Sequence, residues 1–239
     1  MFWFRRHPSY PGQEKTVFGL DFSGPLGLGN AFEGGSFTEL SGDVHQIITR
    51  IRNKRPANLI AANLSASSSS TDEEKLLKEF STSFSLLYDF ADFFIVNTSV
   101  QQLSGGASSL EDISFLSEIL DEILSLRLLN DKFKPVLVQV SPVISREQLN
   151  AILDYARYSG IDGIVVNDAE TLSHIIEYTS GRLSVVVRTA DLRPEHAGNL
   201  LLGGASLIEL LPPTAYSGRK AVSKTLEYLY ASGNHLYHR

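Results

Sequence analysis

The sequence predicts an α/β fold, a (β/α)8 barrel, and three observations carry that prediction. Short runs rich in β-branched residues alternate with amphipathic stretches along most of the chain. Most of these runs are apolar throughout rather than alternating, as expected of parallel strands buried on both faces. The length of 239 residues suits a single barrel of roughly 200–250 residues.

The segment Lys134–Asn167 sets the pattern. Pro135 opens the apolar run Val136–Val140, and Ser145 stands three residues before Gln148, which matches a capping box. Leu149, Ile152, Leu153 and Ala156 then repeat at helical spacing, and Gly160 supplies the positive φ that ends a helix. The run Ile161–Val166 ends at Asn167. Strand, helix and strand of these lengths form a right-handed parallel βαβ unit.

In chain order, Thr16–Phe22 reads as a short strand and Leu26–Asn30 as the first barrel strand. Gly27 and Gly29 either let another backbone or a flat ligand come close, or are turn material. Phe37–Leu40 reads as another short strand, and Asp43 caps a helix carrying Val44, Ile47, Ile48 and Ile51 on one face. Strands follow at Asn58–Leu64, Asp92–Asn97, Leu183–Arg188 and Ala205–Leu211. Helices are expected at Asp72–Phe90, Leu110–Asn130, Ala169–Thr179, Arg193–Leu202 and Arg219–Ala231, with polar loops at Ser65–Thr71 and Val100–Ser109. The eighth strand is short or unusually paired, because little chain separates Leu26–Asn30 from Phe37–Leu40. A parallel crossover normally takes about a dozen residues or more. An aromatic and basic arm over residues 1–15 and one barrel over 16–239 are the expected domains.

A net charge of −6 implies no basic face for nucleic acid. The absence of cysteine excludes disulfides, thiolate catalysis and Cys-ligated metals, and fits a cytoplasmic protein. No stretch approaches the ~18–20 apolar residues of a membrane span. The start, Met1–Arg6, lacks a signal-peptide core; it either touches a membrane or partner, or packs locally at the bottom of the barrel. The histidines show no metal-ligand spacing, and no metal is expected.

The strand ends carry Asn30, Asn63, Asn97, Gln139, Asn167, Arg188 and Thr189. In a barrel these ends meet at the C-terminal mouth. A ring of amides offers donors and acceptors without charge, which suits a small polar or planar ligand; alternatively the amides cap strand-to-helix turns. Neither Lys, His and Cys nor paired carboxylates are expected at these ends. Arg188 either holds a phosphate or carboxylate, or pairs with Glu209.

Several stretches are similar to those of the dihydroorotate dehydrogenase family, especially its quinone-using class. FSGPLGLGNAFEGG looks like the family's first strand and loop, and IAANLSASSS its next strand. YDFADFFIVNTSVQQLSG resembles Y-x-x-A-D-Y-x-x-x-N-x-S-S-P-N-T-x-G. KPVLVQVSPVISREQLNAILDYARYSGIDGIVVNDAE follows the family's P-x-x-x-K-(I/V)-S-P-D strand, helix and G-(I/V)-D-G strand. HAGNLLLGGASLIELLPPTAYSG resembles its final helix and strand. The resemblance implies a barrel with FMN at its mouth that oxidises dihydroorotate to orotate in pyrimidine biosynthesis. It also implies a possible homodimer.

Asn63, Asn97 and Asn167 fall on family asparagines that contact flavin or substrate. Other positions depart. The substrate Lys falls on Gly34, and the base Ser on Val100, which leaves Ser99 as the one catalytic candidate. The flavin-contacting Lys is Gln139. The Gly-Gly phosphate turn falls near Arg188-Thr189-Ala190, and the Tyr-Thr after the last strand becomes Leu211-Pro212. The resemblance therefore implies cofactor contacts at Asn63, Asn97, Gln139, Asn167, Arg188 and Thr189, and substrate contacts at Asn30, Asn97 and Asn167. With these departures the expectation is a non-catalytic or repurposed ligand-binding homologue; the alternative is an FMN-dependent oxidoreductase.

Overall fold

The computed structural model describes residues 14–30, 32–66, 72–98 and 112–232. The expected barrel is present, closed by eight parallel strands. In chain order these are β3 (Leu26–Leu28), β4 (Phe37–Leu40), β5 (Leu59–Ser65), β6 (Phe93–Asn97), β7 (Val136–Gln139), β8 (Gly163–Val166), β9 (Ser184–Thr189) and β10 (Leu207–Leu210). Strand β10 pairs with both β9 and β3, which completes the circle.

The irregular strand expected near the start is there. Between β3 and β4 the chain turns without a helix, and the pair meets at one register position, Leu28 opposite Thr38. Backbone and hydroxyl of Ser36 both donate to the Leu26 carbonyl and hold this turn (2.7 and 2.9 Å). The Thr16–Phe22 reading requires correction: the segment is an antiparallel hairpin of β1 (Lys15–Val17) and β2 (Leu20–Phe22). Phe18 and Gly19, both at positive φ, make its two-residue turn, a geometry that matches the twist of paired strands.

That hairpin closes the N-terminal end of the barrel. Phe18 and Phe22 meet Phe37 and Phe93 with ring centroids 5.6–6.0 Å apart, mostly edge to face. Met1–Arg6, expected to be able to pack here, lies outside the described residues. Gly27 is where it is because a Cβ there would stand 2.3 Å from the Phe37 ring. Neither a ligand nor another backbone makes that approach.

The helices form the outer layer: α1 (Val44–Asn53), α2 (Glu73–Leu87), α3 (Ile113–Leu128), α4 (Arg146–Ser159), α5 (Ala169–Thr179), α6 (Pro194–Leu202) and α7 (Ala215–Ala231). Asp43 and Ser145 cap α1 and α4 as the sequence marks, and four further helices carry caps of the same kind. Asp43, Asp72, Asp112, Ser145, Asp168 and Thr214 all accept from first-turn N–H groups. Gly160 ends α4 in the left-handed region at φ 90°. The last helix starts at Ala215 rather than Arg219, because Thr214 and Ser217 form a second capping box. No described helix is long and apolar enough to cross a membrane.

Three strand starts are clamped at the bottom of the barrel by a side chain on the neighbouring strand's approach. Asp92 Oδ2 accepts from Ile60 N, Asp162 Oδ2 from Val136 N, and Ser206 Oγ from Val185 N, at 2.8, 2.8 and 3.2 Å. The interior therefore has a braced, aromatic lower end. Phe37→Ala should lower unfolding free energy by about 3–5 kcal/mol, measured by denaturant melts. A loss under about 1 kcal/mol would mean that the hairpin plug does not anchor the barrel.

Candidate functional site

The inward-facing positions follow the two-residue period of each strand. The lower set is apolar: Leu207, Phe37, Ala61, Ile95, Leu137, Val165 and Val186 form one buried cluster. Two residues further along each strand, the same face presents Glu209, Glu39, Asn63, Asn97, Gln139, Asn167 and Arg188. The barrel thus changes from hydrocarbon to polar in one step toward its C-terminal mouth.

Five of these residues form one network. Arg188 donates from Nη1 to Gln139 Oε1 at 2.7 Å and from Nη2 to Glu39 Oε1 at 3.1 Å. Its Nε lies 3.0 Å from Glu209 Oε2, close as an ion pair but outside hydrogen-bond geometry. Asn63 Nδ2 donates to both Glu39 Oε1 and Gln139 Oε1 at 3.2 Å. Strands β4, β5, β7, β9 and β10 are tied together by these contacts. Glu209 is 0% and Glu39 2% exposed.

Gly29 makes room for this arrangement, since a Cβ there would stand 2.5 Å from Glu209 Oε1 and 2.4 Å from Leu211. The approach expected at Gly29 is thus made by the barrel's own side chains. Two carboxylates facing one guanidinium in a dry layer cannot both ionise cheaply. Burial, then the neighbouring Glu39 charge, push the Glu209 carboxyl well above the ordinary range. The Glu209 carboxyl is therefore favoured in its protonated form beside Arg188.

The sequence-derived residues divide into three groups. Asn63, Gln139 and Arg188 come together in the network, and for Arg188 the pairing with Glu209 is the alternative realised. Asn97 and Asn167 sit half-buried, Asn97 in register with Gln139, and Asn167 Nδ2 makes a long 3.5 Å approach to the Val140 carbonyl. Asn30 and Thr189 serve the loops. Asn30 is exposed at φ 56° and donates to the Pro212 carbonyl at 3.1 Å, while Thr189 Oγ1 accepts from Asp191 N at 3.0 Å. Strand β3 ends at Leu28, so Asn30 belongs to the following turn. Ser99 lies outside the described residues.

The expectation of no paired carboxylates at the mouth is overturned by Glu39 and Glu209. Both sit one residue before a strand's last position, so inspecting final residues alone misses them. The period-two face beginning at Phe37 and Leu207 leads directly to both. Among the described residues no cluster of three or more His, Asp and Glu side chains could hold a metal ion.

The pH dependence follows from the raised Glu209 carboxyl. A group with a folded-state pKa above its unfolded value stabilises the fold fully at acid pH, and that contribution fades as pH rises toward the folded value. The stability difference between the native chain and Glu209→Gln should therefore shrink, then reverse, as pH rises from ordinary carboxyl values through neutrality. Thermal melts across that range test this, and a pH-independent difference would mean that Glu209 is ionised throughout.

No protein-family model matches the chain. Curated relatives include the quinone-dependent dihydroorotate dehydrogenases of Trichormus variabilis, 27% identical over 197 residues, and Trichodesmium erythraeum, 26% identical over 195 residues. These alignments cover 67% and 66% of this chain and 51% and 50% of the relatives. The chain thus spans about half the length of these curated relatives. Among solved structures, a DHODH from Eimeria tenella in complex with ferulenol superposes with TM-score 0.76 at 14% identity, covering 95% of this chain and 86% of that one. A mandelate oxidase variant carrying a monooxide FMN adduct superposes at 0.57, with 16% identity and coverages of 92% and 76%. The chain is thus similar, at low identity, to quinone-dependent dihydroorotate dehydrogenases, and its closed eight-stranded barrel shares the fold of the Eimeria tenella DHODH.

Proposed function

We propose that this chain is a ligand-binding barrel that no longer carries out the dihydroorotate dehydrogenase reaction. The observation that carries this reading is the commitment of Arg188 to Glu39 and Glu209 (3.1 and 3.0 Å) inside the mouth. A guanidinium held by two carboxyl groups is not available to neutralise a phosphate or an orotate carboxylate.

FMN is the cofactor that the relatives suggest, and its phosphate does not fit the residues present. Such phosphates rest on backbone N–H groups brought close by glycine. Here the loop after β9 has no glycine between Arg188 and Arg193, and two of its N–H groups are taken locally. Asp191 N donates to Thr189 Oγ1 and Arg193 N to Asp191 Oδ1, each at 3.0 Å. Hydrogen bonds from Arg193 hold the Asp191 carboxyl well below the usual range, so Asp191 stays ionised and paired with Arg193 within the loop. After β10, Pro212 and Pro213 have no N–H to offer, and Thr214 caps the first turn of α7 itself.

The second reading, an FMN-dependent oxidoreductase with an altered substrate, draws on Asn63, Asn97 and Asn167 at family positions and on the FMN-bearing mandelate oxidase neighbour. The two readings separate by colour. The purified chain should show no flavin absorption and should leave the fluorescence of added FMN unchanged. Flavin bands near one equivalent would overturn the proposal.

A further inference from the structure

We propose that a cleft at the N-terminal end of the barrel binds a small organic anion, a phosphate or carboxylate head on a single-ring apolar body, through Lys15 and Arg182. This site is separate from the mouth and does not rest on the reading of the mouth given above.

The cleft has a volume of about 880 Å3, within the range of small-molecule sites. Its walls come from β1, the turn from α5 into β9, the end of α6 with the approach to β10, and the end of α7. Gly198 shapes one wall, because a Cβ there would stand 3.1 Å from the Tyr228 ring that packs against α6. Gly181, at φ 67°, lets the chain turn sharply after α5 and bring Arg182 to the cleft.

The first ground is unmatched positive charge. Lys15 and Arg182 both line the cleft, and its described lining residues include no Asp or Glu. Neither side chain has a hydrogen bond or ion pair among the described residues. Lys15 is half-buried, and burial pushes its ammonium below the ordinary lysine value with no carboxylate to offset the effect. Taking a charge part-way out of water without a counter-ion is costly. The carboxylates nearby in sequence and register are engaged or turned out. Asp21 accepts from Thr16 Oγ1 at 2.7 Å, Lys15 is in register with Phe22 instead, and Glu14 is exposed and outside the lining. In a chain of net charge −6, two such cations in one cleft do not follow from an excess of basic residues.

The second ground is what surrounds them. The Asn199 amide and the Tyr228 hydroxyl line the same cleft as neutral donors, without a side-chain partner among the described residues. Leu202, 67% exposed, and the Tyr228 ring leave apolar surface open there. Charge-assisted hydrogen bonds to an oxyanion are roughly twice as strong as neutral ones, so the head group sets the affinity and the apolar wall selects the body. Barrels place catalysis at the opposite end, which makes this a binding site and not a second active centre.

The test is isothermal titration of the full chain with phenyl phosphate, benzoate, inorganic phosphate and benzyl alcohol, with amide NMR to place the ligand. At least one of the two ring-bearing anions should bind near one equivalent, phenyl phosphate more tightly than inorganic phosphate if it is the one, and benzyl alcohol should give no heat. Binding of one anion alone supports the site and names its head group. Resonances of Arg182 and Asn199 should move, and those of Asn97 and Asn167 should not. Lys15→Ala and Arg182→Ala should each weaken binding about tenfold, as expected for one lost charge-assisted hydrogen bond. Arg182 is exposed and the native-chain panel needs no variant, so a misfolded Lys15→Ala does not blunt the test. Silence toward both anions, equal binding of benzyl alcohol, or binding untouched by either substitution would overturn this inference. Inorganic phosphate binding as tightly as phenyl phosphate would overturn the ligand class. Shifts confined to Asn97 and Asn167 would overturn the site and, with it, the reading of the mouth as closed to anions.

Discussion

The upper half of this barrel depends on one interaction, the Arg188 guanidinium held between Glu39 and Glu209. The three side chains come from β9, β4 and β10, and Arg188 also reaches Gln139 on β7. A charged cluster in such a position is a poor source of net stability, since removing ions from water costs about as much as their attraction returns. It does fix geometry. Removing Arg188 alone would leave two carboxyls facing each other in a dry layer, and the Cβ-free surface of Gly29 is needed merely to seat one of them.

From that cluster the remaining features follow in order. The aromatic plug of Phe18, Phe22, Phe37 and Phe93 makes the lower interior solid, and the polar step lies above it. The side chains at that step are satisfied mainly by one another, through Arg188, Gln139 and Asn63. What they leave over is mostly acceptor capacity, with Arg188 Nε as an unmet donor beside it. The loop after β9 adds an ionised Asp191 in place of a glycine turn. On the proposed reading these features turn the mouth away from phosphate and carboxylate chemistry, since a barrel does not by itself fix the chemistry it carries.

The barrel itself was legible from the residues because each local signal agreed with its neighbours. Buried β-branched runs, aspartate and serine caps and Gly160 all point to one alternation of strand and helix. The hairpin was less legible: Lys15–Phe22 alternates loosely as a strand does, and only the positive φ of Phe18 and Gly19 breaks it in two. Asn63, Gln139 and Arg188 were found from their places at strand ends. Glu39 was missed because a carboxylate in a four-residue apolar strand is unexpected until a partner cation is located 149 residues away. Asn30 was read into the ring because Leu26–Asn30 looks continuous, whereas the strand stops at Leu28 and the asparagine turns the chain.

The central claim is that the buried Glu209 carboxyl stays protonated beside Arg188, and carbon NMR of the chain labelled at glutamate side-chain carboxyls addresses it directly. At neutral pH one carboxyl resonance should stay in the protonated range while the exposed glutamates are ionised, and it should vanish in Glu209→Gln. A native spectrum in which every glutamate is ionised at neutral pH would contradict the account, because the mouth would then hold its two negative charges without a proton.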